Sequence, residues 1–133
     1  MRHPLLAVLL VQVLFLSACG LKLSPETSDI FLKIAARNIT IKILDYAPDL
    51  KQPLHIFLKA AQMALENNEQ QAIALLEEEA YSYLKVRFAD NPFLLQDIVD
   101  LWTLVDTSET NLPLSERYKA VVQGALEAYL LLT

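Results

Sequence analysis

The chain has 133 residues, of which 54% are apolar and 20% charged, with a formal net charge of −5. That length and hydrophobicity suit one domain with a real core and argue against both two domains and general disorder. Two glycines, one cysteine and two histidines exclude a glycine-rich phosphate loop, an internal disulfide and a single-chain zinc site, and an acidic chain without a basic stripe does not suit nucleic acid.

In chain order, residues 1–18 read as a secretory leader. Arg2 and the free amine make its basic start, and the run from Leu5 to Leu16 its apolar centre. Ser17 and Ala18 are the small residues that precede cleavage. Leu16-Ser17-Ala18-Cys19 resembles the lipobox of bacterial lipoproteins. The resemblance implies that Cys19 is the lipidation site, carrying diacylglycerol with palmitate-type chains, and that the leader is removed before it. Two or more acyl chains hold stably in a bilayer where one holds marginally. An uncleaved span from Leu5 to Leu21 is the alternative, short for a bilayer and interrupted by Gln12, Ser17 and Gly20. In the same family an aspartate after the cysteine marks inner-membrane retention. Gly20 stands there, which implies the periplasmic face of the outer membrane if the host has two membranes. From Cys19 to Ser24 the chain spans about 17 Å at most, so residues 19–24 form a short tether and the domain sits close to the lipid.

Residues 25–133 are expected to form one all-α domain, a compact bundle of about five amphipathic helices. Ser24-Pro25-Glu26 is a helix start. The helix that follows runs to about Ala47 and stops at Pro48. Its apolar residues form two rows, Ile30, Ile34, Ile41, Leu44 and Leu32, Ala36, Ile39, Ile43, which predicts burial over more than half its circumference. The β-branched run Ile39-Thr40-Ile41 is the one strand-like stretch. Residues 48–53 read as a turn. A second helix carries Leu54, Phe57, Leu58, Ala61 and Leu65 and ends at Asn67-Asn68. A third carries Ala72, Ile73, Leu76, Ala80, Tyr83 and Leu84 and ends near Phe88. After the breaker Ala89-Asp90-Asn91-Pro92 comes a fourth, with Leu94, Ile98, Leu101, Trp102 and Val105. Residues 107–113 form the longest polar connection, and the last helix presents Tyr118, Val121, Val122, Ala125, Leu126 and Tyr129. Ala60, Met63, Asn67, Ala72 and Leu76 are similar in spacing to a tetratricopeptide repeat. Glu79 stands where that repeat needs a small residue, and no second copy follows.

Few residues invite a chemical role. Glu77-Glu78-Glu79 is the densest charge run, yet consecutive helical positions point about 100° apart and cannot converge on one ion. Asp97 and Asp100, three apart with Gln96 and Thr103 nearby, have the spacing of an acid/base pair or shared metal. They lack the histidine of di-iron bundles and read as a wet helix face. Asn38 is expected as a hydrogen-bonded core amide, His55 as a surface residue in the first turn of its helix, and Gly124 as the mark of a close helix crossing. Leu131 and Leu132 are expected to pack rather than to form a contact patch. With no catalytic set, no metal ligands and no cofactor motif, the sequence points to a non-enzymatic lipoprotein of the cell envelope. Its membrane attachment is the anchor, and its partner a protein at the membrane surface. A carrier of lipid or a small apolar ligand inside the bundle is the alternative, and it requires a cavity of about 300–1,000 Å³.

Overall fold

A computed structural model describes residues 25–107 and 112–132. The leader, the lipobox and Cys19 lie outside the described residues. Five helices account for the described chain. They are α1 (Pro25–Tyr46), α2 (Lys51–Asn67), α3 (residues 69–87), α4 (Pro92–Thr107) and α5 (Leu114–Leu132), with a 3₁₀ turn at Pro48–Leu50. No strand occurs among the described residues, so the Ile39-Thr40-Ile41 run is helical. Thr40 buries its hydroxyl by donating to the Ala36 carbonyl at 2.7 Å, the usual way a helix interior accommodates threonine.

The joints follow their local chemistry. The 3₁₀ turn runs straight into α2, so Pro53 is not in a turn but in the first turn of a helix, where its missing N–H costs nothing. Asn68 caps α3, its side-chain oxygen accepting from the Gln71 N–H at 3.2 Å. Asn91 does the same for α4 through the Leu94 N–H, also at 3.2 Å. Such caps satisfy amides that have no partner inside the helix. The third helix is not uniform. Its middle, Leu75–Ala80, is a π segment between α stretches Glu69–Ala74 and Tyr81–Arg87. There the Tyr81 N–H reaches back to the Leu76 carbonyl, which also accepts from the Trp102 indole N–H at 3.2 Å. The Trp102 and Tyr81 rings stack at 4.8 Å with 7° between their planes, and the Lys85 ammonium lies over the outer face of Tyr81. The widened turn therefore sits where α4 docks its tryptophan.

Pairs between helices fix their directions. Lys42 bridges to Asp97 at 2.9 Å and Tyr46, one turn on, reaches Asp90, so α1 and α4 are antiparallel. Arg117 in the first turn of α5 donates to the Val105 carbonyl in the last turn of α4 at 2.7 Å. Tyr129 near the end of α5 donates to the Lys51 carbonyl at the start of α2, also at 2.7 Å. Thus α1, α3 and α5 run one way and α2 and α4 the other, each paired with its sequence neighbour by a short joint.

The most extensive helix contact is the parallel pair α1 and α5. Its closest approach is Gly124 on α5 against Lys33 on α1, and Gly124 lies on a buried row of small residues with Ala120 and Ala128. A Cβ placed on Gly124 would lie 2.8 Å from both the Cα and the carbonyl carbon of Lys33, and closer still to its oxygen. Backbone meets backbone here, so the expected close crossing at Gly124 is present. The two apolar rows of α1 part company. Leu32, Ala36, Ile39 and Ile43 are core, while in the other row Leu44 is core, Ile41 is half-buried and Ile30 and Ile34 are exposed. The expectation of burial around most of α1 is corrected, because only α5 and α4 press closely on it.

Candidate functional site

Each sequence-level candidate has a definite place in the bundle. Asp97 is not paired with Asp100. It is held by the Lys42 ammonium across the α1–α4 interface, whereas Asp100 accepts from the Gln96 amide at 2.8 Å on its own helix. Thr103 donates to the Val99 carbonyl. The two carboxylates thus do separate structural work. The glutamate run fans out as helical spacing requires. Glu77 is half-buried on the side of Tyr118, Glu78 is exposed, and Glu79 edges a cleft between α2 and α3. Among the described residues no three His, Cys, Asp or Glu side chains are gathered as a metal ion needs.

Two expectations are corrected. Asn38 is exposed, on the same outward stripe as Ile30 and Ile34, and the buried polar residues of α1 are Ser28 and Thr40 instead. The last leucines do not pack. Leu130, Leu131 and Leu132 are 76%, 64% and 39% exposed. Leu132 shares a face with Ala125 and Ala128, but α5 has by then run past its neighbours.

His55 is half-buried in an open groove between α2 and α5, of about 950 Å³. Its ring lies 4.6 Å from that of Tyr129. Lys51, His55 and Lys59, four residues apart along α2, line one wall; Gln123 and Glu127 line the other. That periodicity was legible in the sequence and was missed because the run is interleaved with apolar residues. Burial raises the Tyr129 hydroxyl to about 12, which keeps it neutral and able to donate to Lys51. Tyr118 is buried more completely, and its hydroxyl makes no hydrogen bond of good geometry although Glu77 and Trp102 stand beside it. Burial first, then the charges of Glu77 and Asp106, push its ionisation far above the ordinary tyrosine range. No sequence signal distinguishes an orphaned tyrosine hydroxyl from a satisfied one.

The bundle interior is nearly filled. The space at its centre, among Ile39, Phe57, Leu76, Trp102 and Val121, is about 50 Å³. A second, apolar cleft of about 300 Å³ opens to the surface between α2 and α3, lined by Leu50, Pro53, Leu54, Phe57, Tyr83 and Leu84.

One end of the molecule differs from the other. Tyr46, Tyr83, Val86, Phe93, Leu130, Leu131 and Leu132 are seven of the eleven exposed large apolar side chains among the described residues, and all lie within about a turn of the same end. The Tyr46–Asp90, Arg87–Asp49 and Tyr129–Lys51 pairs tie the five helix termini together there. Residue 25 enters at the opposite end, the far side of a 22-residue helix about 33 Å long. No helix among the described residues is long and apolar enough to cross a membrane. Comparison with protein-family models, with curated proteins and with solved structures gives no match.

Proposed function

We propose that this chain is a lipid-anchored, non-enzymatic protein-binding factor of the bacterial cell envelope, held to the membrane by acylated Cys19. The domain follows a short tether and presents its apolar end, some 30 Å away, to a protein partner at the membrane surface. The single observation that supports a binding role is the concentration of exposed apolar side chains at that end, since contiguous apolar surface marks interaction sites more often than chance. The leader and the Leu16-Ser17-Ala18-Cys19 motif support the anchor, and Gly20 favours the outer membrane where the host has two.

The carrier reading has less behind it. The central space of about 50 Å³ falls well short of the ~300–1,000 Å³ typical of ligand sites, and the α2–α3 cleft, which could take an apolar ligand, lies open to the surface.

Crosslinking in the native membrane, followed by mass spectrometry, tests the binding role. A specific partner is expected, and its capture should be lost in Phe93→Asp with Leu131→Asp, both at exposed positions. Recovery of no specific protein, or capture indifferent to both substitutions, refutes it. The anchor is tested separately. Cys19→Ser should release the chain from the membrane fraction and remove the acyl mass; unchanged fractionation, mass and processing refute lipidation.

A further inference from the structure

Helix α2 turns one face away from the bundle. Leu58, Ala61 and Leu65 point inward, and diametrically opposite stand Pro53, Ile56, Ala60 and Met63. These four exposed residues are spaced three, four and three apart, the period of a coiled-coil seam. Ile56 and Met63 are each 63% exposed, whereas an ordinary solvent face of an amphipathic helix carries polar residues there. Beside the seam, seven residues apart on the groove side, are Lys59 and Glu66, both exposed and neither in an ion pair. Four other cations are already committed, Lys33 to Asp29, Lys42 to Asp97, Arg87 to Asp49 and Lys119 to Glu116.

We propose that this face is covered by a second copy of the same chain, α2 against α2, antiparallel about a two-fold axis. The charges choose both the occupant and the direction. In the antiparallel register that sets Ala60 opposite the partner's Met63, Lys59 stands opposite the partner's Glu66, and two-fold symmetry makes that ion pair twice. A parallel register would set Lys59 across from the partner's Ala64 and leave both charges unmatched. Ala60, the small residue at the middle of the seam, lets the two helices approach closely there. Two apolar layers on helices about 25 Å long bury less than the ~1,200 Å² of a stable specific interface. The dimer is accordingly concentration-dependent, and any confinement of the chain to a surface promotes it. It uses neither the apolar end of the bundle nor Cys19, so it stands or falls independently of the proposed function.

Sedimentation equilibrium of the full chain in mild non-ionic detergent tests the pairing, at loadings up to about 0.3 mM. The unsubstituted chain should show a monomer–dimer equilibrium within that range. Lys59→Glu and Glu66→Lys should each raise the dissociation constant by about tenfold, since each turns two attractions into two repulsions. The double reversal in one chain should bring it back to within about threefold of the original. All these positions are exposed, and unchanged circular dichroism will separate loss of pairing from loss of fold. A chain that stays monomeric to the highest loading overturns the proposal. So does a dimer indifferent to either single reversal, or one that the double reversal fails to restore.

Discussion

Gly124→Ala sets helix propensity and tertiary packing against each other. In an isolated helix the substitution would stabilise by about 1 kcal/mol. In this bundle the new methyl would lie 2.8 Å from the Lys33 Cα and carbonyl carbon and still closer to the carbonyl oxygen. Ordinary carbon–carbon contact needs about 3.5–4.0 Å, and the obstacle is backbone, which has no rotamer to escape into. Helices α1 and α5 must therefore separate by roughly 1 Å, and a gap of that size forfeits up to about half of each dispersion contact it opens. The contacts at stake are those of the most extensive helix pair of the fold. Overpacking of this kind costs about 1–3 kcal/mol and sometimes more. Because the obstacle is backbone, the top of that range applies, and subtracting the propensity gain of about 1 kcal/mol leaves a net destabilisation of about 2 kcal/mol. Urea unfolding followed by far-ultraviolet circular dichroism reads it as a lowered midpoint with an unchanged slope. Gln123→Ala, one residue away and exposed, is the control and should move little. A Gly124→Ala chain as stable as the original, or more stable by the propensity term, would refute a backbone-to-backbone crossing.

Three further outcomes follow from the same structure. Tyr118→Phe removes a buried hydroxyl that makes no hydrogen bond of good geometry, so it should leave stability unchanged or raise it by up to about 1 kcal/mol; a loss beyond about 1 kcal/mol would mean that the hydroxyl is bonded to Glu77 or Trp102. Tyr129 is held neutral to about 12 in the folded chain, against about 10 when unfolded. The folded state keeps its proton longer, so this contribution is intact below pH 10 and is lost as pH rises from 10 through 12. Urea midpoints measured across that window should fall less steeply in Tyr129→Phe than in the original chain, and parallel curves would contradict the shift. Arg117 donates to the Leu112 and Val105 carbonyls, so Arg117→Met should cost about 1–2 kcal/mol by leaving helix-end carbonyls without that donor. A change under about 0.5 kcal/mol in thermal or urea unfolding would show that the arginine does not pin the α4–α5 connection.

Much of the local structure was readable from residue order because its causes are local. Pro48, Asn68, Asn91 and Pro92 punctuate the chain wherever a backbone amide lacks a partner, and three-four spacing named the buried faces of α2, α4 and α5. Gly124 could be read as a crossing because glycine inside a helix is tolerated only when something needs the room. The failures were failures of neighbourhood. Nothing in the spacing of Ile30, Ile34 and Asn38 says that α5 and α4 leave that side of α1 bare, and nothing in the terminal leucines says that α5 outruns the bundle. The π segment at Leu75–Ala80 arises where Trp102 shares the Leu76 carbonyl, a contact between residues 26 positions apart. The orphaned Tyr118 hydroxyl has the same kind of cause.

For candidate sites the division is sharper. Composition alone withheld the materials of structural-zinc, disulfide and phosphate-loop chemistry, and the leader motif alone carries the expectation of an anchor at Cys19. Asp97 and Asp100 look like a pair by spacing, and only packing assigns one to Lys42 and the other to Gln96. Residue order determined where helices begin, end and turn their apolar faces, since those depend on neighbours within a turn. Tertiary structure decided which apolar residues stay exposed and at which end they gather. Exposure depends on what five helices together cover, and no single helix encodes that.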